Sequence, residues 1–151
     1  MDSAEHASAP AGIINPLEER LGYQLRRAST VMQADLTKAL SGLSLRPHEA
    51  SALLLIEKNP GITQSEIGRS LGIKRANMAP IAAMLSNRHL VERSRFDGRS
   101  QGLRLSPEGE ALAHTVHKRM NVHEARFLPE LSPSERVALT SAIAKVWADE
   151  D

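Results

Sequence analysis

The sequence predicts a mostly helical fold carrying one small β-hairpin, and three observations lead there. Aromatic residues make up only 3% of the 151, with one Trp and one Tyr, so the core has to be built from Ala, Leu, Ile, Val and Met. Such a core suits helices packed on helices. Helix start signals recur along the chain, at Asn15-Pro16, Pro47, Thr63, Ser106-Pro107 and Ser132-Pro133. Only "VERSRFDGRSQGLRLS", Val91 to Ser106, reads as two strands, turned at Asp97-Gly98, a pair that tolerates the positive φ of a tight hairpin.

The first helix is expected over about residues 15–41, with Asn15 as cap, Pro16 at the first position and Glu18 and Glu19 in the first turn. Leu17, Leu21, Leu25, Ala28, Met32, Leu36 and Leu40 then recur at helical spacing until Gly42. Residues 1 to 14, small and polar with Pro10 and Gly12, read as a flexible arm. A second helix is expected over 46–58, stopped by Asn59-Pro60-Gly61. Thr63 with Glu66 three residues on is a capping box for a short third helix closing at Gly72. A fourth follows from about Lys74 to His89, with Pro80 early in it, where it bends rather than breaks the helix. Beyond the hairpin, Ser106 caps a long fifth helix running toward Leu128, and Ser132 with Glu135 caps a sixth whose apolar face is Leu139, Ile143, Val146 and Trp147.

Charge is unevenly placed. The chain carries 19 basic and 18 acidic residues, a net +1, but seven of the basic and only two of the acidic residues lie between Lys74 and Arg104. The remainder holds 12 basic against 16 acidic residues, so a basic module sits in an acidic frame. With no cysteine, disulfides and thiolate metal sites are excluded. No apolar stretch approaches the roughly 20 residues of a membrane span, and a cytoplasmic location is expected. No nucleophile motif, phosphate loop or acid–base pair appears, so neither an enzyme nor a cofactor is expected. His114, His117 and His123, near Glu110 and Glu124, have helical spacing but lack a metal-ligand signature.

A short helix, a tight turn, a second helix and a basic hairpin, in that order, make a winged helix-turn-helix, and the apolar stripes at both ends of the chain, more than so small a module could cover, predict that it is flanked by dimerisation helices. In that arrangement the second helix enters the major groove of double-stranded DNA and the wing reaches the backbone or minor groove. The stretch from Ser65 to Leu112 resembles the MarR family of bacterial transcriptional regulators. It carries "L-V-x-R" at Leu90 to Arg93, "D-x-R-S" at Asp97 to Ser100 and "L-[TS]-x-x-G" at Leu105 to Gly109, with His89 where the family usually has glycine. Histidine visits positive φ more readily than most residues.

The resemblance implies a homodimer built from helices over about 15–41 and 107–148, a winged module over about 46–106, and a pseudo-palindromic operator. It also implies a small-molecule effector, often an aromatic carboxylate or its thioester, that releases a repressor. Lys74, Arg75, Asn77 and Met78, at the start of the presumed recognition helix, are the candidates for reading bases. Thr63, Gln64 and Ser65 are candidate phosphate contacts, Arg95, Arg99 and Ser100 the candidate wing contacts, and Asp97 a wing-stabilising residue. Tyr23, Arg26, Arg27 and Thr30 form a polar cluster that would hold a carboxylate. The alternatives are a zinc-responsive regulator of the same fold and a winged helix that binds protein rather than DNA.

Overall fold

The computed structural model describes residues 13–95 and 101–148, and the described chain divides into two compact units at Ala34/Asp35, inside the first helix. The elements are α1 (Leu21–Leu40), a 3-10 turn (Ser41–Leu43), α2 (Pro47–Lys58), β1 (Ile62–Thr63), α3 (Gln64–Ser70), α4 (Arg75–Asn87), β2 (Val91–Arg95), β3 (Gln101–Leu105), α5 (Pro107–Phe127) and α6 (Pro133–Trp147). The architecture is mostly helical with one small antiparallel sheet, as the sequence predicts.

In the first unit the helix begins six residues later than its start signal. Asn15 does accept a hydrogen bond from the Leu17 N–H at 3.0 Å. The turn it opens closes with i+3 bonds, Glu18 N–H to Asn15 O and Arg20 N–H to Leu17 O. The Gln24 side chain then donates to Glu18 O at 2.6 Å, occupying the carbonyl that a continuing helix would offer to Gly22. The regular ladder starts only with Gln24 N–H to Arg20 O.

The core of the second unit is aliphatic: Leu36 and Leu40 from α1, Leu53 and Ile56 from α2, Ile67 from α3, Met78, Ile81 and Leu85 from α4, Leu103 from β3, and Ala113 and Val116 from α5. Asp35 and His123 add a polar tie between α1 and α5, with His123 Nδ1 2.8 Å from Asp35 Oδ2 and the ring 5% exposed. Arg126 bonds the other oxygen of the same carboxylate. Ser106 and Ser132 cap α5 and α6, accepting from Gly109 N–H at 3.0 Å and Glu135 N–H at 3.3 Å. No residue of α6 is buried.

The sheet has the order β1-β3-β2, with Val91 opposite Leu105, Arg93 opposite Leu103 and Arg95 opposite Gln101. β1 has only two residues, too few for alternation to show in the sequence. It pairs Ile62 with Leu103 and Thr63 with Gly102. The approach is so close that a Cβ on Gly102 would lie 2.3 Å from Gly61 O. The expected Asp97-Gly98 turn lies outside the described residues, as do residues 1–12 of the expected arm.

Where the wing meets α5, a Cβ on Gly109 would lie 2.0 Å from Leu90 O. Backbone cannot yield as a flexible side chain would, so Gly109→Ala should destabilise by about 1–3 kcal/mol. Gly22→Ala meets nothing within 4 Å and should be neutral or slightly stabilising. Urea unfolding of the two variants beside the parent checks the contrast.

Candidate nucleic-acid interface

The candidate interface is assembled from α3, α4 and the wing. Thr63 stands at the N-cap of α3 in extended conformation, φ −84° and ψ 158°, accepting from Glu66 N–H. In return Thr63 N–H and Oγ1 donate to Glu66 Oε2 at 2.8 and 2.7 Å. The Thr63 amide, and then its hydroxyl, hold the Glu66 carboxyl below the usual 4.5. The Thr63 side chain is thus engaged in capping, whereas Gln64 and Ser65 project from the first turn.

The chain turns through Gly72, and Lys74 caps α4 with backbone alone, its carbonyl accepting from the Asn77 and Met78 amides. Met78, Ile81, Ala82 and Leu85 then follow helical spacing into the core. Met78 is 2% exposed, so it is a packing residue and not a DNA-facing one, a correction that its own spacing to Ile81 and Leu85 foreshadows. Lys74, Arg75 and Asn77 fall on the other side and are exposed. Their side chains make no hydrogen bond or ion pair among the described residues. At the far end of the helix His89 takes φ 56°, as a glycine would.

The wing arginines do not act alike. Arg104 faces Glu92 across the ladder, with Nε 2.9 Å and Nη2 2.7 Å from Glu92 Oε2, so its charge is met within the sheet. Arg93 Nη1 donates to Gln101 Oε1 at 3.3 Å. Together with Thr63, Gln64, Ser65 and Leu103, Arg93 and Gln101 line a cleft of about 240 Å³ between the start of α3 and the wing. Neither Arg93 nor Gln101 is among the residues the sequence marks for DNA. The signal was available in the strand alternation, which puts Arg93 on the face of Val91 and Leu103, but its neighbour α3 is fixed only by the fold. For Arg95 the strand pairing is described, whereas Asp97, Arg99 and Ser100 lie outside the described residues.

Comparison with known proteins places this geometry. A model described as "MarR family" matches residues 41–100. The transcriptional repressor CouR, solved bound to a 23-mer DNA duplex, is 35% identical, with 86% of this chain aligned to 94% of CouR at a TM-score of 0.80. The chain belongs to the MarR family. CouR bound to p-coumaroyl-CoA aligns over 95% of this chain and all of that one, at 33% identity and TM-score 0.78. The HTH-type transcriptional repressor Rv2887 of Mycobacterium tuberculosis is 28% identical over 131 residues, 85% of this chain and 94% of that protein.

In this MarR chain the candidate effector residues fall in the first unit. Tyr23 OH accepts from Asn15 Nδ2 at 2.9 Å, Arg26 stands over the Tyr23 ring with its guanidinium carbon 5.5 Å from the centroid, and Thr30 Oγ1 donates to Arg26 O at 2.8 Å. Arg26 and Arg27 are exposed. The histidines of α5 go separate ways, His117 to Glu57 at 2.8 Å and His123 to Asp35, and no group of three metal-capable side chains forms among the described residues. No described helix is long and apolar enough to cross a membrane.

Because the folded-state pKa of Glu66 is lowered, its contribution to stability is present above about pH 4.5 and fades as pH falls through the lower folded value. Glu66→Gln should therefore lower Tm at pH 7, and the gap from the parent should close as pH falls below the ordinary carboxylate range. Thermal melts across that range measure it.

Proposed function

We propose that this protein is a homodimeric, sequence-specific DNA-binding repressor released by a small aromatic carboxylate or its thioester. The observation that carries the reading is the trio Lys74, Arg75 and Asn77, exposed and without partners among the described residues at the start of α4, beside a wing. Arginine and lysine suit guanine and asparagine suits adenine. Gln64 and Ser65, with Arg93 and Gln101 across the cleft, supply polar groups for phosphate, and Arg95, Arg99 and Ser100 extend the wing, with Asp97 steadying its turn. CouR, in its DNA-bound and p-coumaroyl-CoA-bound structures, supports both halves of the reading. On this chain Arg26 and Arg27, with Tyr23 and Thr30, are the residues assigned to the effector's anionic group.

Dimerisation is supported by α6, a 15-residue helix that buries none of its residues. Val137 at 68%, Val146 at 59% and Trp147 at 64% exposure are a surface that isolated chains rarely leave to water. In a two-fold dimer the recognition helices reach successive major grooves about 34–36 Å apart on a pseudo-palindrome.

The parent should run as a dimer in light scattering at micromolar concentration, and Ile143→Asp with Val146→Asp should shift it to monomer. A monomeric parent would end this part of the proposal. In gel shifts at two salt concentrations, Arg99→Ala should weaken operator and scrambled DNA together and reduce the salt slope by about one phosphate equivalent. Arg75→Ala or Asn77→Ala should cost about 1–3 kcal/mol on operator and much less on scrambled DNA. Arg26→Ala should bind operator as the parent does and resist release by the effector. Parent-like binding by Arg75→Ala and Asn77→Ala together would remove α4 as the reading helix.

A further inference from the structure

By sequence Arg88 belongs to the basic module, and on a DNA-binding surface its charge would be counted as a phosphate contact. Its position says otherwise. Arg88 is the C-cap of α4, at the opposite end from Lys74 and Arg75. Its guanidinium spans two successive carbonyls of another segment, Nη1 donating to Ser44 O at 2.8 Å and Nη2 to Leu43 O at 3.2 Å. Those carbonyls end the 3-10 turn between α1 and α2, where Ser44 takes the left-handed conformation, φ 51° and ψ 43°. The guanidinium therefore meets the carbonyl end of that turn, where C=O groups left without helical partners accept its two donors.

The next residue is held from the other side. Ser106 Oγ donates to His89 O at 2.6 Å while accepting from Gly109 N–H, so the hydroxyl that caps α5 also grips the end of α4. Ser106 is 5% exposed, which keeps water from competing for these bonds. The N-terminal end of α4 is tied only to its immediate neighbour α3, through the turn where Ile73 N–H donates to Gly68 O at 2.8 Å, and its polar side chains are free among the described residues. The C-terminal end is anchored to the α1–α2 corner through Arg88 and to α5 through His89.

We propose that Arg88 is a positioning residue for DNA recognition: it sets the direction of α4 by clamping the helix end to the Leu43–Ser44 carbonyls, and it is not a phosphate contact. The proposal rests on the DNA-binding reading above. A planar guanidinium can bridge two carbonyls with two donors, whereas an ammonium, a point charge on a flexible stem, cannot hold that geometry. Tilting α4 displaces base-edge contacts, which need exact alignment, far more than backbone contacts, which tolerate it.

The test uses the full-length parent, Arg88→Met and Arg88→Lys, on a duplex that the parent enriches from a randomised pool and on a scrambled duplex, by fluorescence anisotropy at two salt concentrations. Circular dichroism at the assay temperature confirms that each variant is folded, and Arg88→Lys carries the test if Arg88→Met is not. Both variants should bind the enriched duplex about tenfold more weakly, a loss at the scale of one base contact, with scrambled-DNA affinity and salt slope unchanged. Rescue by Lys, or a salt slope smaller by about one phosphate equivalent in Arg88→Met, would make Arg88 a phosphate contact and overturn the proposal. Parent-like binding by both variants would overturn it equally. If the parent enriches no sequence, the DNA-binding reading itself fails, a result visible before any variant is measured.

Discussion

The second unit depends on one crowded backbone joint at Leu90. Its carbonyl accepts the Ser106 amide at 3.0 Å, and Gly109 passes so close that a side chain there would overlap the oxygen. Its amide donates to Leu85 O at 2.9 Å, which closes the end of α4. One residue thus ends α4, begins the wing and receives the first turn of α5. The left-handed His89 just before it provides the change of direction. These contacts are backbone to backbone or through a buried hydroxyl, so they fix angles between elements more tightly than apolar packing alone, which tolerates repacking.

Electrostatics in the module is less generous than its charge count. Of the seven basic residues between Lys74 and Arg104, Arg104 is neutralised by Glu92 and Arg88 is turned to backbone carbonyls. Lys74 and Arg75 at the start of α4 stay exposed and without partners among the described residues, and Arg93 is exposed beside the wing cleft. A raw count of basic residues therefore overstates the charge the module offers to a polyanion.

Local chemistry made much of this fold legible in the sequence. Ser106, Ser132 and Thr63 cap the helices they were expected to cap, because a hydroxyl needs only the amides two or three residues on. His89 adopts the positive φ that its place ahead of Leu90-Val91 implied. What escaped were choices between partners distant in sequence. Asn15 carries a sound start signal, but Gln24 diverts the carbonyl the helix needed. Arg88 looked like one more basic residue, and its carbonyl partners lie 44 and 45 positions earlier. β1 is too short to have any pattern of its own.

The base of the wing bears on how such a protein can diversify. β3 is pinned where Gly102 passes the Gly61 carbonyl and where Gly61 N–H donates to Leu103 O at 2.8 Å. Sliding β3 by one position would drive Gln101 or Leu103 against that carbonyl and reverse which residues face the core. Insertions and deletions within the strands are therefore closed to drift. Changes of charge at exposed strand positions such as Arg93 leave that register intact.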